Sequence, residues 1–339
     1  MNSLSVGGPI QDSLPPTSPL PRWNTSLVKD DDYNDILALF PIVFGHPLSP
    51  KLLQWKYGNG RGQAIIARAA DGRLIAHYGG ISRRIRFFGE ERLAVQICDV
   101  MVESRERGVL TRKGPFFLIT ADFLDRFIGF GRKHLVGFGF PTNRHLRLAE
   151  KLGLYDRVGA VFELRWPAAE LLSWRIAVLP LNLLDKGSAV TLNALWETMR
   201  HSLENALLPV RDALWWQFRY AENPEYAYRA FLIRHRLTRR AIGAIVLKES
   251  ADGMELMDWI SPVHHALLMV SAARTVAARM GKHFVMGWFS DFVTKSLSES
   301  LPAITDIDVG IPTNVFTDGP SADTIAGRWW LTGGDTDFR

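Results

Sequence analysis

A short apolar strand, a basic loop with two glycines and an aromatic helix follow one another in the stretch DVMVESRERGVLTRKGPFF, residues 99–117. Backbone N–H groups at a helix N-terminus that is opened by glycines bind phosphate well, and nearby Arg and Lys side chains add ion pairs. Pro115 suits the first turn of the helix, where a missing N–H costs little. The stretch therefore predicts a cradle for a diphosphate, and a solvated basic turn is the alternative. The loop residues concerned are Arg105, Arg107, Gly108, Arg112, Lys113 and Gly114.

Composition limits the class of protein. The chain has 339 residues, a net charge of +5 and a pI near 9.4, which suits two domains with either a solvated basic surface or an anionic ligand. Its single cysteine, Cys98, excludes an internal disulfide, so a cytoplasmic location is expected. Residues 1–25 are rich in Pro and Ser and predict a disordered tail. No stretch reaches the roughly 20 apolar residues of a membrane span.

The two halves of the chain repeat one plan. Four short segments recur in the same order, the first pair at an offset of 163 positions. Four ordered matches favour an internal duplication, and two unrelated α/β domains are the alternative. The matching pairs are 52–57 with 215–220, 64–68 with 230–234, 98–102 with 257–261 and 131–136 with 281–285.

The first copy also shows the elements that would position the basic loop. Aromatic and apolar residues at helical spacing predict a long helix over 116–128, which Gly129 and Gly131 end. A strand over 134–140, a helix over 143–152 and a strand over 158–165 follow. Trp166-Pro167 marks the expected boundary between the copies.

This order, with a basic glycine-bearing loop between a central strand and a long helix, resembles the GNAT acyltransferase superfamily. The doubled form resembles its tandem-domain members, which include the Fem-type aminoacyl transferases. The phrase Glu150-Lys151-Leu152-Gly153-Leu154 is similar to the family's Tyr-x-x-Leu-Gly-Phe helix end, and the segments 55–57 and 71–75 also match. The resemblance implies an α/β fold with two tandem GNAT-like domains, 26–166 and 167–339. Each would be a mixed, mostly antiparallel sheet flanked by helices.

The resemblance implies acetyl-CoA or another acyl-CoA as co-substrate, with no metal. The central strand would lie beside the pantetheine arm and the loop would hold the pyrophosphate. The family loop reads Arg/Gln-x-x-Gly-x-Gly/Ala, and Leu110 stands here at its last position. The residues expected to contact the co-substrate are Val100, Met101, Val102, Arg107, Gly108, Arg112, Lys113, Gly114, Pro115, Phe116 and Asn143.

Acyl transfer to an amine needs a base, an oxyanion donor and an acid for the leaving thiolate. Asp99 on the central strand is a candidate base, but Asp258 occupies the same place in copy two and favours a structural role. Glu103 is a second candidate, or a carboxylate that offsets the arginines. The family's tyrosine position holds Ala149, so Tyr155 is the candidate acid, with packing as its alternative.

Three further stretches carry weaker signals. After Asp258 copy two has neither glycine nor arginine before its helix, so this half is predicted not to bind the co-substrate. The basic run 234–240 predicts a solvated hairpin or an RNA contact, but it lacks the interleaved aromatics that stack bases. Asp335-Thr336-Asp337 follows two glycines and predicts a turn.

The sequence therefore predicts a cytoplasmic N-acyltransferase, first of all an N-acetyltransferase, that transfers directly to an amine. The acceptor would be a small molecule or a cell-envelope precursor, and nucleic acid is not expected as a partner. The alternatives are a non-catalytic scaffold of the same fold and a Fem-type transferase that draws on aminoacyl-tRNA.

Overall fold

A computed structural model describes residues 22–339. The first half contains β1 (Trp23–Leu27), α1 (Tyr33–Phe44), α2 (Pro50–Tyr57), β2 (Gly62–Ala69), β3 (Leu74–Phe87), β4 (Glu90–Val102), α3 (Pro115–Phe127), β5 (Val136–Phe138), α4 (Asn143–Lys151) and β6 (Tyr155–Pro167). The second half contains β7 (Ile176–Pro180), α5 (Lys186–His201), β8 (Leu207–Pro209), α6 (Ala213–Trp216), β9 (Tyr228–His235), β10 (Ala241–Glu249), β11 (Gly253–Ile260), α7 (Ala266–Arg279), β12 (Phe284–Ser290), α8 (Asp291–Ser296), β13 (Ala303–Asn314) and α9 (Ala322–Ile325).

The first sheet has the order β1-β2-β3-β4-β5. Its neighbours are antiparallel except for the parallel pair β4–β5, which α3 connects. Apolar residues point to both faces. One face packs on α3 and α4 around Phe123 and Leu146, and the other packs on α1 and α2 around Leu39 and Leu52. Both faces of the central strands are thus covered, which explains their long apolar runs.

The second sheet repeats this plan. Its order, β13-β6-β12-β11-β10-β9-β7, places β7, β9, β10, β11 and β12 in the succession that β1 to β5 follow in the first sheet. The parallel pair β11–β12 is again joined by a helix, α7. The prediction of an α/β fold with two mixed, mostly antiparallel sheets flanked by helices is confirmed.

Two strands cross between the halves. β6, which the sequence predicts as the last strand of the first copy, pairs antiparallel with β12 and β13 of the second sheet. In return, β8 of the second half pairs with the end of β3, Ile85–Phe87. Backbone hydrogen bonds therefore join the two halves of the chain across the predicted boundary at 166–167.

The chain begins its regular structure earlier than predicted. The tail was expected to include residues 22–25, but Trp23 is buried and β1 pairs with β2 from Trp23 opposite Ala69. The pairing and burial of an aromatic side chain outweigh the Pro-rich context. The rest of the predicted tail, residues 1–21, lies outside the described residues. Across residues 22–339, none of the helices has the length and apolar character that crossing a bilayer requires.

The strand expected over 134–140 is shorter than predicted. Only Val136–Phe138 pair with β4, opposite Ala94–Gln96. The helix before it ends close to the predicted place, and Gly129 and Gly131 adopt positive φ angles of 128° and 74° after it. Beyond Phe138 the chain turns away from β4, which opens the sheet.

Candidate functional site

A cavity lies where β4 and β5 part. β4 continues for six residues after its last pair with β5, and it bulges at Asp99, which has a φ of 49°. There the register of β4 against β3 shifts by one residue, so Tyr78 alone lies opposite two residues of β4. The cavity has a volume of about 1520 Å³. Side chains from both faces of the sheet line it, including Phe40 and Leu52 on one face and Phe116 and Leu146 on the other.

Basic side chains line the cavity on the α3–α4 face. Arg107 comes from the loop after β4, and Arg144, Arg147 and Lys151 come from α4. The three α4 residues are spaced at i, i+3 and i+7, so they share one side of the helix. Burial lowers the pKa of His145, and the charges of Arg107 and Arg144 lower it further. The loop and α4 therefore concentrate positive charge on one side of the cavity. The spacing of the basic residues in α4 is visible in the sequence, but the prediction of a phosphate site relied on the loop alone.

The loop itself is held by internal contacts. Arg107 Nε donates to the carbonyl oxygen of Val102 over 2.8 Å. Gly114 N–H donates to the carbonyl oxygen of Thr111, and a Cβ at Gly114 would overlap the carbonyl oxygen of Val109. Gly108 lies in open space, with no heavy atom near the position of a Cβ. Gly114 is thus required by the packing of the loop, whereas Gly108 is not.

The residues predicted to contact the co-substrate divide into two groups. Six of them line the cavity: Val100, Val102, Arg107, Pro115, Phe116 and Asn143. Five do not form its lining: Met101, Gly108, Arg112, Lys113 and Gly114. Met101 is fully buried in the core between β4 and the α1–α2 face. Arg112 and Lys113 are exposed beside the loop.

Asp99 is held by α2. Its carboxylate accepts hydrogen bonds of 2.8 Å from Lys56 Nζ and from the Tyr57 hydroxyl. Burial acts to raise the pKa of Asp99, but the Lys56 ammonium and these hydrogen bonds bring it below its ordinary value. Glu103 lies outside the lining and pairs with Arg73 over 2.8 Å. Asp99 is therefore a firmly ionised partner of Lys56, and Glu103 offsets an arginine.

A second carboxylate reaches the cavity from the segment 332–339. Asp337 Oδ2 lies 2.8 Å from Lys56 Nζ, so one ammonium bridges Asp337 and Asp99. Burial and the charge of Asp99 raise the pKa of Asp337, although Lys56 opposes the shift. The sequence predicts a turn here, and Gly333–Asp335 do form one. The approach of Asp337 to Lys56 was missed because the two residues are 281 positions apart in the chain.

Buried ion pairs anchor this segment. Asp335 accepts hydrogen bonds from Arg211 and from Arg83, and all three side chains are buried. Gly333–Asp335 lie against β11 and β12, next to Asp258, which pairs with Arg211 over 2.7 Å. In the second half the place that corresponds to the cavity is therefore occupied by the chain itself.

Two tyrosines meet in the lining on the α3–α4 face. The hydroxyl groups of Tyr78 and Tyr155 hydrogen-bond to each other, and both residues contact the cavity. Burial raises the pKa of Tyr155 well above its ordinary value, so its hydroxyl keeps its proton at neutral pH. Ala149, at the family's tyrosine position, is buried in the same core cluster as Tyr155.

Comparison with known proteins identifies the fold. Residues 24–115 match the family model described as an acetyltransferase (GNAT) domain. A conserved Enterococcus faecalis V583 protein, described as a probable N-acyltransferase, superposes with a TM-score of 0.64 at 11% identity, over 87% of this chain and 72% of that one. A GCN5-related N-acetyltransferase from Kribbella flavida gives a TM-score of 0.60 at 16% identity, over 88% and 72% of the two chains.

The doubled architecture also has a solved counterpart. Saccharomyces cerevisiae N-myristoyltransferase with bound myristoyl-CoA superposes with a TM-score of 0.53 at 9% identity, over 91% of this chain and 82% of that one. No curated protein matches this sequence. Because all these identities are low, the structural matches establish the fold alone. The chemistry has to be argued from the site itself.

Proposed function

We propose that this chain, whose fold resembles tandem GNAT domains, is an acyl-CoA-dependent N-acyltransferase that transfers the acyl group directly to an amine. The observation that carries the proposal is the cavity that passes through the gap between β4 and β5. It has basic side chains on the α3–α4 face and an Asp99–Lys56–Asp337 cluster on the α1–α2 face.

The residues on the α3–α4 face suit an acyl-CoA. Its phosphates need concentrated positive charge, which Arg107, Arg144, Arg147 and Lys151 supply around the mouth. The N-terminus of α3 adds backbone N–H groups beside them. The gap between β4 and β5 is lined by Ile97, Val100 and Gly139, which leaves an apolar slot for a slender, uncharged arm. The thioester supplies the activated acyl carbon when the co-substrate is bound.

Asp337 is the proposed base. An amine attacks only in its neutral form, so the acceptor ammonium must give up a proton inside the cavity. Asp99 is a poor proton acceptor, because its pKa is lowered and its oxygens bind Lys56 and Tyr57. Asp337 has a raised pKa and lies on the same face, so it accepts the proton more readily. The bulge at Asp99 interrupts the regular pairing of β3 with β4. This interruption supports a role for backbone N–H groups of the bulge as hydrogen-bond donors to the oxyanion.

Tyr155 is the proposed acid for the leaving thiolate. As the amine nitrogen bonds to the acyl carbon, the carbon–sulfur bond breaks and the sulfur needs a proton. The hydroxyl of Tyr155 keeps its proton, and Tyr78 hydrogen-bonds to it. In this proposal the two tyrosines supply the hydroxyl group that Ala149 cannot supply.

Separate measurements of co-substrate binding and of turnover test this proposal. The full chain is titrated with coenzyme A and acetyl-CoA while the melting temperature is followed. We expect a rise at ligand well above its Kd. Arg147→Glu, which reverses a charge at the mouth, should weaken that rise. Arg132→Glu makes the same change outside the cavity lining and serves as the matched control, so it should leave the rise intact.

Release of free thiol from acetyl-CoA and longer acyl-CoAs is then measured over a panel of amines. Amine-dependent release supports the transferase. An absence of any stabilisation by millimolar coenzyme A would instead leave the non-catalytic scaffold as the function of this fold. Stabilisation without release for any amine or acyl chain would restrict the proposal to co-substrate binding.

A further inference from the structure

The far edge of the second sheet carries a dense group of arginines. The hairpin between β9 and β10 contributes Arg236, Arg239 and Arg240, and Arg175 precedes the edge strand β7. Arg236 N–H donates to the carbonyl oxygen of Arg175 over 2.7 Å, so the two segments adjoin. We call this surface, residues 174–175 and 235–240, the arginine edge.

The charges of the arginine edge are not balanced by acids. Arg175, Arg236, Arg239 and Arg240 are exposed, and none of the ion pairs within residues 22–339 includes them. Elsewhere in the second half, exposed Arg229 pairs with Glu249 and exposed Arg279 pairs with Glu170.

The pKa of one neighbouring histidine, His265, reflects the same positive surroundings. Burial lowers the pKa of His265, and the charges of His264, His235 and Arg240 lower it further. Because like charges repel, a group of this kind lowers stability unless an anionic partner offsets it.

Two large apolar side chains project from the same surface. Trp174 is 66% exposed and Leu237 is 78% exposed. Trp174 and Leu237 belong to the two segments that the hydrogen bond from Arg236 to Arg175 joins. The guanidinium of Arg175 lies 5.4 Å from the ring of Trp174. Each of these apolar side chains is thus next in the chain to an unpaired arginine, Arg175 or Arg236.

We propose that the arginine edge docks the protein onto an anionic membrane surface. A Trp beside basic residues suits the boundary between headgroups and acyl chains, and an exposed Leu at a hairpin tip gains free energy by entering that boundary. Each Arg near an anionic bilayer adds to the attraction, so the four act together. A nucleic acid would use the same charges but would leave Leu237 in water, and one exposed aromatic offers little base stacking.

Co-sedimentation of the full chain with vesicles tests the docking surface. Vesicles of phosphatidylcholine with about 30% phosphatidylserine are compared with pure phosphatidylcholine in low salt. We expect binding to the anionic vesicles that falls steeply in 0.5 M salt, because exposed charges are then screened. Arg236→Glu with Arg239→Glu should weaken binding at least tenfold. Leu237→Ser should weaken it severalfold without a change in net charge.

The control is Arg126→Glu with Arg132→Glu, which makes the same change in net charge on α3 and the loop that follows it. It should keep most of the binding. The proposal fails if neutral vesicles bind equally well, if the control loses as much as the hairpin variant, or if anionic vesicles do not bind. Arginine-dependent binding of a single-stranded oligonucleotide that Leu237→Ser leaves unchanged would point to nucleic acid instead. None of these outcomes depends on acyl-CoA binding.

Discussion

The indole of Trp55 stacks on the ring of Phe218, with centroids 4.6 Å apart and planes 10° from parallel. Trp55 Nε1 also donates to the carbonyl oxygen of Phe218 over 3.2 Å. The two residues are separated by 163 positions, which is the offset of the internal repeat. Corresponding segments of the two copies therefore contact each other, and the copies face one another across this stack.

Trp55→Ala and Phe218→Ala should each destabilise the fold, and the double variant should lose less than the sum. Because the rings contact each other, we expect a coupling energy of about 1 kcal/mol. Urea unfolding of the four proteins of the cycle measures it. Additive losses would show that each ring is stabilised by its own half alone.

Asp335→Ala should be among the most damaging single substitutions. It leaves Arg211 and Arg83 buried with one carboxylate fewer, and removing one partner of a buried ion pair costs about 3–5 kcal/mol. Chemical denaturation gives the loss in unfolding free energy. Asp125→Ala removes the partner of an exposed arginine and should change stability by less than about 1 kcal/mol.

Asp337 should set the acidic limb of the rate profile. Its raised pKa means that it keeps a proton to higher pH than an ordinary carboxyl, so kcat/KM should rise with pH above the usual carboxyl range. In that window the folded state binds more protons than the unfolded chain, so this group's contribution to stability falls as pH rises.

Asp337→Asn should remove the acidic limb and lower kcat by about 10²- to 10⁴-fold. Stabilisation by coenzyme A should persist, because Asp337 lies on the opposite face from the basic mouth. A variant that keeps the wild-type rate and pH profile would exclude Asp337 as the base.

The two glycines of the loop should respond differently to substitution. Gly114→Ala forces a Cβ against the carbonyl oxygen of Val109 and should displace the loop, so coenzyme A binding should weaken. Gly108→Ala meets open space and should leave binding within about twofold. Thermal shift with coenzyme A compares the two, and equal effects would contradict the packing role of Gly114.

Tyr155→Phe should lower kcat while leaving co-substrate binding unchanged. The ring keeps its packing, but the proton for the thiolate is lost, so a loss of about 10²-fold or more is expected. Thioesters of more acidic thiols should be less affected by the substitution, since their thiolates leave with less need of a proton. An unchanged rate would assign Tyr155 to packing alone.

The sequence determined a large share of this architecture by itself. The repeat of Leu52–Tyr57 and Trp215–Tyr220, the helix after Pro115 and the strand that holds Asp99 follow from local patterns of apolar residues, glycines and prolines. These patterns also carried the resemblance to the GNAT superfamily, and they placed Val100, Arg107 and Phe116 beside the later cavity.

Only the tertiary structure decided how the halves combine. β6 lies in the second sheet because strand pairing depends on which edge is available, and sequence proximity does not fix that choice. Asp337 reads as part of a turn, yet ion pairs of Asp335 with Arg211 and Arg83 bring it to Lys56. Contacts between residues that are hundreds of positions apart leave no local pattern, so the carboxylate proposed as the base could be found only in the folded chain.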